Sequence, residues 1–214
     1  MIRNILLASL LLGLSPTVTL AQQVAANPIG RFLTVRSPID DTVIGRGRNL
    51  AQDLAIRSEK ENRPAVLVLE LTPGVSPFYQ VQGLATLLSS ARLARGRTVA
   101  WIPKTVTGPN AVVALACNEI VMDPDAGLGD ISRGAPLDDA SKQFVRTLVE
   151  KRRNPKVNWP LARGMLNRDS EVIQVTITSD NNQVKLRVVG PVELELLRKR
   201  LPAATLEPKR IKDA

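Results

Sequence analysis

A nearly unbroken apolar run, Ala65 to Leu71, constrains the fold of this chain more than any other feature. It lies between Pro64 and the turn sequence Thr72-Pro73-Gly74. A short apolar run of this kind predicts a strand covered on both faces, as in a parallel sheet with helices on each side. Such a sheet gathers ligands at the turns that follow its strands, where backbone N–H groups converge.

The segments around this run predict an alternating α/β domain. Apolar residues recur at helical spacing from Gln80 to Leu88, and a second amphipathic pattern covers Asn49 to Glu61. Further strands are expected at Phe32 to Val35, Thr98 to Ile102 and Glu119 to Met122. Hydrophobic residues make up 44% of the chain but aromatic residues only 3%, which suits a core of Val, Leu, Ile and Ala.

The chain contains no histidine and one cysteine, and this excludes several kinds of site. No imidazole is present to serve as the base of a Ser-His-Asp or Cys-His site, so nucleophilic chemistry would need a lysine base. The usual zinc sites are excluded in the same way, and we expect neither a metal nor a cofactor. Cys117 lies among apolar residues and is expected to be a buried core residue.

The two termini have distinct compositions. Residues 1–21 predict a secretory signal peptide, with Arg3 before an apolar core and Thr19-Leu20-Ala21 before the cleavage point. Export to the periplasm or the extracellular space follows, with membrane association only if this leader stays uncleaved. Residues 22–30 are expected to be a linker.

The formal net charge of +9 is spread along the chain without interleaved aromatic residues. It therefore favours a solvated basic surface over a nucleic-acid site.

The C-terminal part predicts an appendage to the α/β domain. A break at Lys151 to Pro155 is followed by a short amphipathic piece, Trp159 to Leu166. Val172 to Thr178 and Gln183 to Val189 alternate in polarity around a turn sequence, which predicts a β-hairpin, and Pro191 to Arg200 predicts a helix. We therefore expect a main domain over residues 31–168, a hairpin and helix over 169–201, and a loose polar tail over 202–214.

The second informative stretch, Thr107 to Gly129, predicts a helix that is apolar on all sides. Gly108 is its expected N-cap, Pro109 its first residue, and Ala111 to Cys117 its buried body. A buried helix whose N-terminus faces a strand-end turn can stabilise an oxyanion. A simple core helix of a layered α/β domain is the alternative at this point.

These two stretches together resemble the ClpP/crotonase superfamily, and within it the NfeD-type (nodulation formation efficiency D) and signal peptide peptidase A-like serine proteases. The family's Pro-Gly-Gly turn is matched by Thr72-Pro73-Gly74-Val75, and its buried helix and following strand by Ala111 to Asp123. The resemblance covers roughly residues 34 to 168. It implies a layered parallel sheet with flanking helices, a Ser/Lys catalytic dyad, apolar peptide segments of membrane proteins as substrates, and assembly into oligomers.

The resemblance also shows which catalytic positions this chain lacks. The serine nucleophile falls on Gly108, the next two residues on Pro109 and Asn110, and the second glycine of the oxyanion turn on Val75. Only the lysine base is matched, by Lys142. Without a hydroxyl at position 108 there is nothing for Lys142 to activate, and a branched side chain at Val75 is expected to crowd the oxyanion-binding N–H groups.

Three functions are compatible with this sequence. The first is an exported, non-catalytic module of this family that binds a peptide or assembles with a partner. The second is an active endopeptidase that uses another hydroxyl, Thr107 or Ser132, or is completed by a partner chain. The third is a crotonase-like acyl-thioester enzyme, against which export argues because coenzyme A is cytoplasmic. The adjacent carboxylates Asp138 and Asp139 are expected to mark a helix N-terminus rather than an acid/base pair.

Overall fold

The apolar runs of the first half of the chain form a parallel sheet in the computed structural model, which describes residues 27–90, 96–134, 136–151, 157–179, 183–202 and 204–211. In spatial order its strands are β1 (Ile29–Val35), β2 (Ala65–Leu71), β3 (Gly96–Ile102) and β5 (Glu119–Met122). All three neighbouring pairs are parallel, which confirms the predicted sheet.

Helices pack on one face of this sheet. Helix α1 (Asp41–Glu61) contacts β1 and β2, while α2 (Phe78–Leu88) packs against α1 and α3 (Ala111–Ala116). The covered face is built from alternate strand residues with almost no exposure, among them Leu33, Leu67 and Leu69. Because side chains alternate along a strand, the same strands place their other residues on the opposite face.

That opposite face is only half-buried along β2, so the expectation that the central strand is covered on both faces is wrong for the described residues. The neighbouring strands are more exposed on this face. Phe32 is 52% exposed and Val121 50% exposed, and Trp101 lies between them at 36%. The rings of Phe32 and Trp101 are in contact, with centroids 5.9 Å apart.

A second, two-stranded parallel sheet carries the segment that resembles the protease site. It pairs β4 (Val106–Thr107) with β6 (Leu128–Gly129). A single 3-10 turn, Gly108–Asn110, connects β4 to α3. Helices α4 (Asp139–Lys151) and α5 (Trp159–Leu166) follow and pack on each other.

The C-terminal part forms a separate antiparallel sheet with the order β8-β7-β9. Strands β7 (Ile173–Thr178) and β8 (Val184–Val189) form the predicted hairpin, and α6 (Pro191–Arg200) is the predicted helix. The expectation of a loose tail is wrong for β9 (Thr205–Arg210), which pairs with β7 along its whole length. A small core of its own, which includes Val175 and Leu194, holds this sheet to α6.

The N-terminal boundaries also differ from expectation. Strand β1 begins at Ile29, inside the predicted linker. Helix α1 begins at Asp41 rather than near Asn49, because the Asp40 side chain accepts a hydrogen bond from the Val43 N–H and caps it. The predicted signal peptide lies outside the described residues. Within the described part of the chain, no helix is both long and apolar enough to cross a membrane.

Candidate active site

The turns that follow β1, β2 and β4 meet at one end of the sheets. The Thr72 backbone N–H and hydroxyl both donate to the Val35 carbonyl, at 3.2 and 3.1 Å, which holds the first two turns together. Beyond them lie Ser37, Gly74 and the 3-10 turn that begins at Gly108. The structure thus brings together the oxyanion turn and the nucleophile position that the resemblance named.

Asn110 ties these turns to each other. Its side chain is buried, and its Nδ2 donates to the Ser37 hydroxyl oxygen at 2.5 Å and to the Gly74 carbonyl at 3.0 Å. A second link joins the same turns, because the Ser76 hydroxyl oxygen accepts from the Ile39 N–H at 2.8 Å. One amide therefore fixes the start of α3 against the turns after β1 and β2.

Gly74 occupies a position that only glycine fits. Its φ is +142°, a value that residues with a side chain rarely adopt. A Cβ at this position would lie 2.3 Å from the Ser37 Cβ, well inside van der Waals contact. Val75, the next residue, is 67% exposed.

Gly108 is buried and has φ +71°, so it is not the helix N-cap that the sequence predicted. Its N–H donates to the Asp130 carbonyl at 2.9 Å, as part of the contact between β4 and the segment after β6. The nearest atom to a Cβ built here is the Arg133 carbonyl oxygen at 3.8 Å, so space exists but the backbone conformation favours glycine. Pro109 follows inside the 3-10 turn.

The two alternative hydroxyls, those of Thr107 and Ser132, each form a hydrogen bond. Thr107 Oγ1 accepts a hydrogen bond from the Arg133 guanidinium at 3.2 Å. A guanidinium has no acceptor site and stays protonated, so Arg133 cannot remove a proton from Thr107. The Ser132 hydroxyl donates to the Leu166 carbonyl at 2.6 Å. Among the described residues, the hydrogen bonds of these two hydroxyls include none to a base.

Lys142 lies in the first turn of α4 and pairs with Asp139 of the same helix at 3.2 Å. Its side chain is about half exposed and lines a cavity of about 660 Å³, together with Ser132 and Arg133. Gly74, Val75 and Gly108 are not among the residues that line this cavity.

Asp138 is the N-cap of α4. Its Oδ1 accepts from the Ser141 N–H at 2.7 Å. The hydrogen bonds from the Ser141 side chain and backbone hold the pKa of the Asp138 carboxyl below its ordinary value, with a smaller contribution from the charge of Lys142. Asp139 is fully exposed apart from its pairing with Lys142. This arrangement matches the expected helix N-terminus.

The cysteine and the acidic side chains are the remaining candidates for a chemical role. Cys117 is fully buried at the end of α3, and its thiol donates to the Val113 carbonyl. Across the described ranges, no three acidic or thiol side chains gather into a group that could hold a metal ion.

Sequence reasoning gave no role to Ser37 and Arg133, and it named Asn110 only as a position that departs from the family pattern. The one available signal was Asn110, a polar residue directly before a run that is apolar on all sides. A buried amide in that setting needs hydrogen-bond partners, but its sequence does not say which distant turns supply them.

Comparison with known proteins supports the fold. No protein-family model and no curated protein sequence matches the chain. Among solved structures, it is similar to the 1510-N membrane-bound stomatin-specific protease, in a lysine-to-alanine mutant bound to a substrate peptide. The TM-score is 0.50 at 12% sequence identity, and the likeness covers 82% of this chain and 74% of that one. The chain therefore has a ClpP-like α/β fold.

Proposed function

We propose that this chain is an exported module of the ClpP-like fold that has lost peptide-bond cleavage and binds an apolar peptide segment. The observation that carries the proposal is Gly108, which occupies the nucleophile position and has φ +71°. Covalent peptide cleavage by this class of site begins with attack by a hydroxyl oxygen or a thiol sulfur. A glycine supplies neither.

The surrounding groups support the loss of catalysis. Thr107 accepts a hydrogen bond from Arg133, Ser132 donates one to a backbone carbonyl, and Lys142 is paired with Asp139. A working Ser/Lys site needs the lysine amine within hydrogen-bond reach of the hydroxyl that it deprotonates. None of these pairings has that form.

The turns around Gly74 support a retained binding role. Asn110 holds the Gly74 carbonyl, and the Ser37 side chain leaves no room for any residue but glycine there. This keeps the turn after β2 in one conformation.

An apolar cavity of about 880 Å³, within the usual size range for ligand sites, lies beside β6. The similar solved structure holds a substrate peptide and is of a membrane-bound protease, which suggests a peptide from a membrane protein as the ligand class.

A peptidase and binding assay tests this proposal. The mature chain from Gln22 onward is incubated with fluorogenic apolar peptides beside the Lys142→Ala variant, with subtilisin as the positive control. We expect both forms of the chain to release no more fluorophore than buffer, while fluorescence anisotropy shows that wild type binds the peptides. Cleavage by wild type that disappears in Lys142→Ala would overturn the loss of catalysis. Absence of binding to any apolar peptide would overturn the binding role.

The variant Gly108→Ser asks whether only the nucleophile is missing. Gly108→Ala is its matched control, because both variants place a side chain on the same strained backbone and only serine brings a hydroxyl. We expect both variants to lose about 1 to 3 kcal/mol of stability. Cleavage by Gly108→Ser alone, dependent on Lys142, would show that the rest of the site can still function.

Export rests on the sequence of residues 1–21. We expect the chain expressed with its leader to be recovered from the periplasm with the mass of a polypeptide that begins at Gln22. Recovery of the full-length mass from the membrane fraction would mean that the leader stays uncleaved and anchors the chain in the membrane.

A further inference from the structure

Two cavities adjoin where the segment after β6 meets α5. The first, of about 880 Å³, has walls that are mainly apolar: Leu115, Ile120, Leu128, Leu161, Met165 and Val172. The second, of about 660 Å³, is the cavity that Lys142 lines. They share three lining residues, Asp130, Arg168 and Ser170. A ligand can therefore extend from one into the other.

The second cavity is positively charged. Among the described residues that line it, one is a carboxylate, Asp130, and four are cationic. The cations are Arg133, Lys142, Arg163 and Arg168. We call this the basic cavity, and the first the apolar cavity. Clefts that carry one sign of charge concentrate ligands of the opposite sign. Guanidinium groups also match the geometry of a carboxylate, to which they can donate two parallel hydrogen bonds.

The cations differ in how far they are already neutralised. Arg168 pairs with Asp130, and Lys142 pairs with the exposed Asp139. Among the described residues Arg163 forms no ion pair, and its buried Nε has no hydrogen-bond partner. Arg133 donates to a hydroxyl, that of Thr107. Like Arg163, it has no carboxylate partner in an ion pair between described residues, whereas Lys142 and Arg168 each have one.

We propose that the joined cavities bind the free carboxyl terminus of an apolar peptide. The last side chains of the peptide occupy the apolar cavity, and its terminal carboxylate lies at the junction beside Arg168, in the field of Arg133 and Lys142. The inference rests on the proposed peptide-binding function and names its ligand more narrowly: a chain end, not an internal segment. It also assigns Lys142 a role in electrostatic attraction, which does not require the amine to lose its proton.

The wall of the apolar cavity favours a peptide over a fatty acyl chain. Three consecutive residues of the wall, Gly127, Leu128 and Gly129, belong to β6 or directly precede it. In the described part of the chain β6 pairs with β4 alone, so one of its edges has no strand partner. An extended peptide can use the main-chain groups of such an edge, whereas an acyl chain has no donors or acceptors to offer.

Two fluorescein-labelled peptides of the same apolar sequence, Gly-Ser-Ala-Val-Leu-Leu, test the inference. One ends in a free carboxylate and the other in an amide. We expect the carboxylate form to bind wild type at least tenfold more tightly by anisotropy, and the difference to shrink with added salt. In Arg168→Gln the preference should fall to less than threefold. Arg198→Gln is the matched control, because Arg198 also forms an exposed ion pair, with Glu195, but lines neither cavity. It should keep the full preference.

The outcomes separate this inference from the function on which it rests. Equal binding of the two peptides, weakened in Leu161→Asn, would overturn the chain-end inference and leave apolar peptide binding intact. Binding of neither peptide would overturn both. If decanoate binds more tightly than the peptide and displaces it, the chain-end inference is overturned, and the ligand class is an anionic amphiphile instead of a peptide. Thermal melts of each variant confirm that it is folded.

Discussion

The turns around Gly74 and the first turn of α4 carry the two halves of the site that the resemblance implies, and they differ in how tightly their residues are held. Gly74 is fixed by Asn110 and enclosed by Ser37. Lys142 and Asp139 form an ion pair on an exposed helix surface. The first half keeps a specific backbone conformation, while the second half has the properties of an ordinary helix N-terminus. The structure therefore holds the backbone of the implied site more firmly than it holds the implied catalytic lysine.

The largest expected effect comes from adding one methyl group to the tightly held half. Gly74→Ala places a Cβ 2.3 Å from the Ser37 Cβ at a φ of +142°. We expect a loss of about 3 to 5 kcal/mol in the free energy of unfolding, from the overlap and the strained backbone together. Urea denaturation measures it.

Gly134→Ala is the control for this change. Gly134 also has a positive φ, +96°, but a Cβ built there meets nothing within 4 Å. It should cost only about 1 kcal/mol, the contribution of the backbone alone. Equal losses in the two variants would mean that Ser37 does not enclose the turn.

A smaller effect is expected from removing the amide that ties the turns. Asn110→Ala removes the donor of two part-buried hydrogen bonds, one to the Gly74 carbonyl and one to the Ser37 hydroxyl. At about 0.5 to 1.5 kcal/mol for each hydrogen bond, we expect a loss of about 1 to 3 kcal/mol, measured again by urea denaturation. Asn49→Ala, at an exposed position of α1, should stay within about 0.5 kcal/mol of wild type. If the two asparagine variants are equally stable, the turns are held by other contacts.

The sequence predicted the parts of the fold that depend on local pattern. The run from Ala65 to Leu71 identified β2, and the alternation after Val172 identified the hairpin. The strand β9 was missed because Thr205 to Arg210 is polar and contains Pro208, which is typical of an edge strand and also of a loop. Its pairing with β7 is a tertiary contact that no local pattern records.

The resemblance implied that Gly74 and Gly108 belong to one site, and the structure brings their turns together through Asn110. The other contacts of the candidate site were not predictable from the sequence. The positive φ of Gly108 and the pairing of Thr107 with Arg133 depend on the segment after β6, more than 20 residues away in the sequence. Such contacts are fixed only when the chain is folded.

The smallest expected effect belongs to the loosely held half and depends on pH. The pKa of Asp138 is lowered in the folded state, chiefly by its hydrogen bonds with Ser141. Its carboxylate therefore stabilises the fold at pH values above the ordinary aspartate pKa, and this contribution is lost as the pH falls through the lowered value. Asp138→Asn keeps an N-cap acceptor but cannot titrate. Below about pH 4 the melting temperature of wild type should fall more steeply than that of the variant, by an amount that is small because the group is exposed. Parallel melting curves down to pH 2 would mean that the cap hydrogen bond does not form in solution, and that the start of α4 is held even more loosely than the ion pair of Lys142 implies.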